Sequence, residues 1–280
     1  MKNTKKLLSL MAIFVMAMMI FVGCSNKPTT MQDREGNEFN VPKEVNTIIS
    51  TAPSNTEVLV ALGLADKLVA VDKYSADVEG ISEELPKIDF RNPDAEAIIA
   101  LNPDIVIASG HNKVGDEDPF ALIKEAGIPV AYIPSSYSID GIYEDIEFIA
   151  NLTNTEKKGK ELVDSMKKEV EKIKAIGDKI TDKKNVYFEI GAGSGLYTFG
   201  NGTFLNELIE TVGATNIFAD ENSWITVTPE AVIDANPDVI LANSPGTNEA
   251  GLTAIEDIES RDGWDTITAV QNGDVYSIDN

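Results

Sequence analysis

After residue 30 the apolar positions fall into short blocks that alternate between two periods. Residues 31 to 42 read as a small hairpin around Glu35-Gly36-Asn37, closed by Pro42. Runs rich in Val and Ile follow at Val45 to Ser50, Leu68 to Val71, Asp104 to Ala108 and Ile128 to Ile133, each a strand candidate. Between them lie helical patterns such as Leu59, Leu62 and Leu64, and this alternation predicts an α/β lobe with a mainly parallel sheet. From Thr155 to Ile176 the period changes: Leu162, Met166, Val170 and Ile173 form one stripe, with lysines and glutamates filling the other faces. At about 1.5 Å per residue that helix is roughly 35 Å long. Strand patterns then return at Asn185 to Ile190, Asp238 to Ala242 and Val275 to Ile278. The pattern thus divides the chain into a tether and hairpin (24–44), an N-terminal lobe (45–153), a connecting helix (154–180) and a C-terminal lobe (181–280). The expected fold is α/β, two Rossmann-like lobes joined by a single long helix with a ligand cleft between them.

An internal repeat ties the lobes together. The segment from Ala95 to Ala108 matches the one from Pro229 to Ala242 at a constant offset of 134, with seven of fourteen positions identical. Each copy reads as a helix, an Asn-Pro break and a buried strand, because proline cannot continue a helix. Equivalent units in two lobes imply a pseudo-two-fold pair. In open α/β sheets the ligand crevice lies outside the carboxyl ends of the strands, so residues just after each strand become ligand candidates.

The amino terminus reads as an address. Lys2, Lys5 and Lys6 precede an uncharged apolar run from Leu7 to Val22, the order of a secretory signal peptide over 1–23. Phe21-Val22-Gly23-Cys24 resembles a lipobox, with Phe21 and Val22 where Leu and Ala or Ser are usual; in such a box the cysteine is lipidated and becomes the new amino terminus. A diacylglyceride-modified Cys24 would hold the protein stably at the outer face of the cell membrane. The alternative is an uncleaved anchor, since the run is only slightly shorter than the ~20 residues that span a bilayer. Three arginines among 23 basic residues fit an AT-rich, Gram-positive source.

Composition narrows the functional classes. Forty-six acids against 23 bases give −23 over 280 residues, and −26 once the lysine-bearing leader is set aside. Such a surface repels phosphate backbones and anionic headgroups, which argues against a nucleic-acid binder and leaves the lipid anchor as the only membrane contact. One cysteine excludes an internal disulfide, and one histidine excludes a multi-histidine metal site. No twelve-residue calcium-loop pattern occurs. Catalytic motifs fail too: Gly191-Ala192-Gly193-Ser194-Gly195 follows a strand, but Leu196 stands where a dinucleotide fingerprint needs its third glycine, and the next helix starts near Thr203. The expectation is a protein that is no enzyme, needs no cofactor and ligates no metal directly.

Taken together, these residues resemble the cobalamin/ferric-siderophore/haem class of substrate-binding proteins of ABC importers. The likeness rests on the lipobox and on the Asp33 to Pro42 spacing D-x-x-G-x-x-x-x-V-P. It continues through STAPSNTE at 50 to 57, ALGLADKLVAVDKYS at 61 to 75, both repeat copies, and Gly213 to Phe218. It implies a monomer that captures an iron chelate (siderophore or haem) or cobalamin outside the cell and delivers it to a permease dimer with its ATPase. An extracellular sensor or scaffold of the same bilobal fold is the alternative. The family usually continues past the last strand into a closing helix; with the sequence ending at Asn280, exposed apolar surface on the second lobe is expected.

Site residues follow from strand-end position together with that resemblance. Ser54 and Asn55 stand where the first strand turns into a helix. Tyr74, Phe90, Arg91, Tyr137, Tyr197 and Trp224 are expected after other strands or strand-like runs, with Phe90, Tyr197 and Trp224 at positions that the resemblance gives to aromatics packed on a large planar or macrocyclic ligand. His111 follows the Asp104 strand; a loop hydrogen bond and a ligand contact are both open to it, and were the ligand haem, it or a tyrosine could supply an axial bond. Glu96 and Glu230 hold the same place in the two repeats. Each is explained singly by an N-cap (Asp94, Thr228) and a helix start that favours acids. The resemblance implies more, a matched pair docking into arginine pockets of the permease.

Overall fold

The computed structural model describes residues 30–113, 117–192, 195–243, 247–248 and 250–278. The leader and Cys24 lie outside the described residues. The first described element is a hairpin of β1 (Thr30–Gln32) and β2 (Glu38–Asn40), paired antiparallel. Its turn is organised by Asp33, whose carboxylate accepts the N–H groups of Glu35 (2.9 Å) and Asn37 (2.8 Å). Gly36 supplies the positive φ of 86° that this turn requires.

The N-terminal lobe carries β3 (Ile48–Ser50), β4 (Leu68–Asp72), β5 (Lys87–Ile88), β6 (Ile105–Ser109) and β7 (Val130–Ile133), all parallel, in spatial order β5-β4-β3-β6-β7. Strand order therefore reverses between β3 and β6, the switch point of a doubly wound sheet. The sheet is buried on both faces. Ile48, Val71, Ile105 and Ile107 pack with Leu59 and Leu62 from α1 (Pro53–Ala61) and its C-cap, and with Ile149 of α4 (Ile139–Leu152). On the other side Ile49, Ala70, Val106 and Ala108 meet Ile98 of α2 (Ala95–Leu101) and Ile123 of α3 (Ala121–Glu125). Successive residues of one strand point to opposite faces, so a continuous apolar run feeds two layers.

β3 begins later than the Val45 start expected from the apolar run. The N–H groups of Asn46 and Thr47 go to the Asp104 carboxylate (2.7 and 2.9 Å), not to a neighbouring strand. The connecting helix α5 (Glu156–Gly177) packs on α4 through Gly159 and Val163, while Ile173 and Ile176 of its second half are exposed. Its last residue, Gly177, lies so close to Gly213 and the Thr211 carbonyl that a Cβ there would collide with backbone.

In the C-terminal lobe β8 (Asn185–Glu189), β11 (Thr215–Asn216), β13 (Val239–Ala242) and β14 (Val275–Ser277) form a parallel sheet in the order β11-β8-β13-β14. Tyr187, Ile240 and Val275 pack with Val232 of α7 (Pro229–Ala235), Ile258 of α8 (Ala254–Ser260) and Ala269 of α9 (Thr268–Asn272). The opposite face packs Val186 and Phe188 with Ile209 of α6 (Phe204–Thr211). A third, antiparallel sheet of β9 (Gly191–Ala192), β10 (Leu196–Phe199) and β12 (Trp224–Val227) was not anticipated from the sequence. Tyr197 and Trp224 accordingly lie within strands, not after them.

Candidate ligand cleft and docking surface

Because all five strands of the N-terminal sheet run parallel, their carboxyl ends share one edge, and the loops leaving that edge carry seven of the expected residues. After β3, the Thr51 hydroxyl donates to Asn112 Oδ1 (2.5 Å), which also accepts the Ser109 N–H (2.7 Å), so the switch point is knitted by its own polar groups. Ser54 is exposed at the start of α1. Asn55 turns inward instead: it is only 3% exposed and its amide donates to the Ala108 carbonyl at 3.5 Å, bracing α1 against β6.

Beyond β4 and β5 the structure assembles an aromatic-cation cluster. Tyr74 sits in a single 3-10 turn capped by Asp72, which accepts its N–H at 2.8 Å. Its ring meets Phe90 at 5.8 Å between centroids, tilted by 53°. Arg91 lies over the Phe90 ring at 5.5 Å and Lys73 over the Tyr74 ring at 5.2 Å. Asp89 is 3.7 Å from the Lys73 ammonium and accepts the Arg91 N–H at 3.1 Å. The Arg91 N–H holds the Asp89 carboxyl below the usual carboxylate range against a smaller opposing effect of burial, with a lesser contribution from the attraction of Lys73.

On the β6 and β7 side, His111 is exposed and its Nε2 stands 2.6 Å from the Ser135 hydroxyl, so a loop hydrogen bond occupies that nitrogen. Tyr137 is exposed two residues further on. The amino-terminal hairpin buttresses this side. Arg34 reaches Asp145 and Glu144 of α4 at 2.7 Å each, and Glu35 pairs with Lys113, which lies 4.0 Å over the Tyr132 ring.

The C-terminal lobe contributes the antiparallel sheet. Its register sets Tyr197 opposite Thr226 and Phe199 opposite Trp224, so these four share one face. Trp224 leans edge-on against Phe199 (6.1 Å) and Phe204 (6.4 Å) yet remains 41% exposed, and Tyr197 is 47% exposed. Together with Ile190, Thr198, Ile225 and Thr226 they line an open, mostly apolar recess of about 350 Å³. Four of these lining residues were missed from the sequence. The signal was present in the alternation of Leu196-Tyr197-Thr198-Phe199 and Trp224-Ile225-Thr226-Val227, two β-rich runs that pair across the helix and turn between them.

Glu96 and Glu230 occupy superposable local settings. Asp94 and Thr228 cap the two helices, accepting the N–H of Ala97 (3.0 Å) and Ala231 (3.3 Å), and each glutamate stands exposed at the second helical position. Both helices end on an asparagine in the left-handed region, Asn102 (φ 47°) and Asn236 (φ 43°). In both, the aspartate after the Asn-Pro break caps the strand next door: Asp104 accepts from Asn46 and Thr47, and Asp238 from Asn185 (2.8 Å). The repeat is therefore structural down to its caps.

Comparison with known proteins places this architecture. Residues 48–280 match the family described as periplasmic binding protein. The uncharacterized ABC transporter substrate-binding lipoprotein YvrC of Bacillus subtilis (strain 168) is 32% identical, over 98% of this chain and 90% of its own. A vitamin B12-binding protein of Yersinia pestis (strain Pestoides F) is 29% identical over 74% of this chain and 72% of its own. Among solved structures, a possible iron-binding (periplasmic solute-binding) protein from Staphylococcus epidermidis superposes with a TM-score of 0.73 at 32% identity, covering 84% of this chain and 90% of that one. The chain belongs to the periplasmic binding protein family.

Proposed function

We propose that this protein is the lipid-anchored substrate-binding component of an ABC importer, which captures an iron chelate or a corrinoid outside the cell, hands it to the permease and performs no chemistry itself. The observation that carries the ligand reading is Trp224: a large aromatic ring, propped edge-on by two phenylalanines and still 41% exposed, is a preformed stacking platform for a flat or macrocyclic ligand. Tyr74, Phe90 and Tyr137 add aromatic surface at the strand ends of the other lobe, and Ser54, Arg91 and His111 add polar groups there. Asn55 supports that wall from beneath.

Glu96 and Glu230 are the docking pair. A two-fold permease needs two equivalent contacts, and one exposed acid at a matched helix start on each lobe supplies them. Exposed charges of this kind set orientation and association rate more than affinity. Cys24 carries the anchor; metabolic labelling with a tagged fatty acid should mark the wild type and not Cys24→Ser, and an unlabelled wild type would remove the lipid from the account.

The visible spectrum of the protein purified from iron- and cobalamin-replete cells tests the capture. A Soret band, a corrin spectrum or a broad charge-transfer band would each support it. A colourless protein that calorimetry also shows to bind none of haem, cobalamin or ferric siderophores would contradict it.

A further inference from the structure

The positive charge of this chain is distributed very unevenly. Ten of its 23 basic residues fall between Lys157 and Lys184, on the connecting helix and the segment leading to the amino end of β8. From Asn185 to the end, sixteen carboxylates face a single basic residue, Arg261. That one is consumed internally. Its guanidinium binds both oxygens of Glu189 (2.7 and 2.8 Å) and Asp257 (2.6 Å), and only 16% of its side chain is exposed. Glu189 ends β8, beside β13, so the switch point of this sheet is filled by the protein's own ion pair.

The other wall is scarcely richer. Lys73 faces Asp89, Lys113 is held by Glu35 and by the Tyr132 ring, and Arg34 is held by Asp145 and Glu144. Among the described residues in the loops that follow the strands of that wall's parallel sheet, Arg91, lying over Phe90, is the one cation with no carboxylate partner; Lys87, also unpaired, lies within β5. The internal stretches outside the described residues contain no lysine or arginine. What the cleft surfaces do offer is aromatic rings and neutral hydrogen-bonding groups: the hydroxyls of Tyr74, Tyr137, Tyr197, Thr226 and Ser54.

Resting on the capture function proposed above, we infer that the ligand carries no net negative charge: it is an electroneutral or cationic metal complex edged with amide or hydroxamate groups. A corrinoid and a ferric trihydroxamate share this chemistry. A trianionic ferric tricatecholate needs several cations to neutralise it, and haem brings two carboxylates; a single guanidinium beside an acidic lobe serves neither, because unpaired like charges across an interface cost several kcal/mol. Every 1.4 kcal/mol being tenfold, the discrimination should reach about 100-fold or more.

The test is calorimetry on the full-length protein in detergent with four probes: cyanocobalamin, an uncharged ferric trihydroxamate, a ferric tricatecholate and hemin. The inference expects cyanocobalamin or the trihydroxamate to bind at least about 100-fold tighter than the tricatecholate and hemin. Affinity for the tight ligand should change less than about twofold between low and high salt, since screening acts on charge attraction. Thr226→Lys, which puts an ammonium into the recess, should raise affinity for the tricatecholate. Tightest binding by the tricatecholate or hemin overturns the inference and leaves the capture function standing, as does a steep salt-dependent loss of the best ligand. Binding of none of the four overturns both.

Discussion

Arg261 lays two nitrogens on the carboxylate of Glu189, a residue 72 positions earlier, at 2.7 and 2.8 Å, and stacks its guanidinium over Trp264 at 4.6 Å. Burial works against the arginine's charge, but hydrogen bonds and attraction from Glu189 and Asp257 outweigh it and hold its pKa above the ordinary arginine value. The same carboxylate adds to the effect of burial in raising the pKa of Tyr187, whose hydroxyl donates to it at 3.2 Å. One guanidinium thus keeps a nearly buried acid satisfied at the centre of the second sheet.

Removing that guanidinium leaves Glu189, 3% exposed, without a counter-charge. Arg261→Met should therefore cost about 3–5 kcal/mol in denaturant unfolding. Adding Glu189→Gln should recover a large part of the loss, because the uncompensated charge goes with it. Equal stability of Arg261→Met and the wild type would show that the pair contributes nothing to the fold.

Asp104 links acidity to the other lobe. Burial alone would raise its pKa, but the N–H groups of Asn46 and Thr47 outweigh that effect and hold it below the usual carboxylate range. A carboxyl whose pKa is lowered on folding stabilises the native state above its unfolded value of about 4, and that stability is lost as the pH falls further. Asp104→Ala should cost roughly 1 kcal/mol at neutral pH, discounted for partial exposure, and should flatten the fall in stability below about pH 4. Unfolding curves from pH 7 down to pH 3 measure both effects; an unchanged acid slope would contradict the assignment.

The docking pair makes a separable prediction. Glu96→Arg with Glu230→Arg should leave ligand affinity within about twofold, since exposed charges contribute little beyond orientation and encounter. Ligand-stimulated ATPase activity of the reconstituted transporter should be abolished. Full stimulation by the double variant would remove the docking role, and each glutamate would then be explained by its helix start alone.

Much of this was legible in the sequence where local chemistry repeats. The offset of 134 found both helix-Asn-Pro-Asp-strand units, and the structure extends the match to caps and left-handed asparagines that residue identity only hinted at. The stripe from Leu162 to Ile173 gave the connecting helix almost to its ends. The antiparallel sheet escaped because its strands are four residues or fewer and β10 and β12 are separated by α6 and β11, so the pairing of Phe199 with Trp224 is a tertiary fact. Asn55 illustrates the opposite limit. A polar residue at a helix start faces the ligand or the core according to rotamer and neighbours, and here the Ala108 carbonyl claims it. The Glu189–Arg261 pair had no sequence signal at all, since nothing in a lone arginine announces which carboxylate it will cross a lobe to meet.

The capture account stands most directly on the Trp224 platform. Calorimetric titration of the wild type and of Trp224→Ala with cyanocobalamin, a ferric trihydroxamate and hemin, alongside their melting temperatures, tests it in one experiment. The account predicts saturable one-to-one binding of one of these by the wild type. In Trp224→Ala that binding should weaken by about tenfold or more, as for a stacked aromatic anchor, with little change in melting temperature because the ring is half exposed. Equal affinity in the two proteins, or no binding by either, would contradict it.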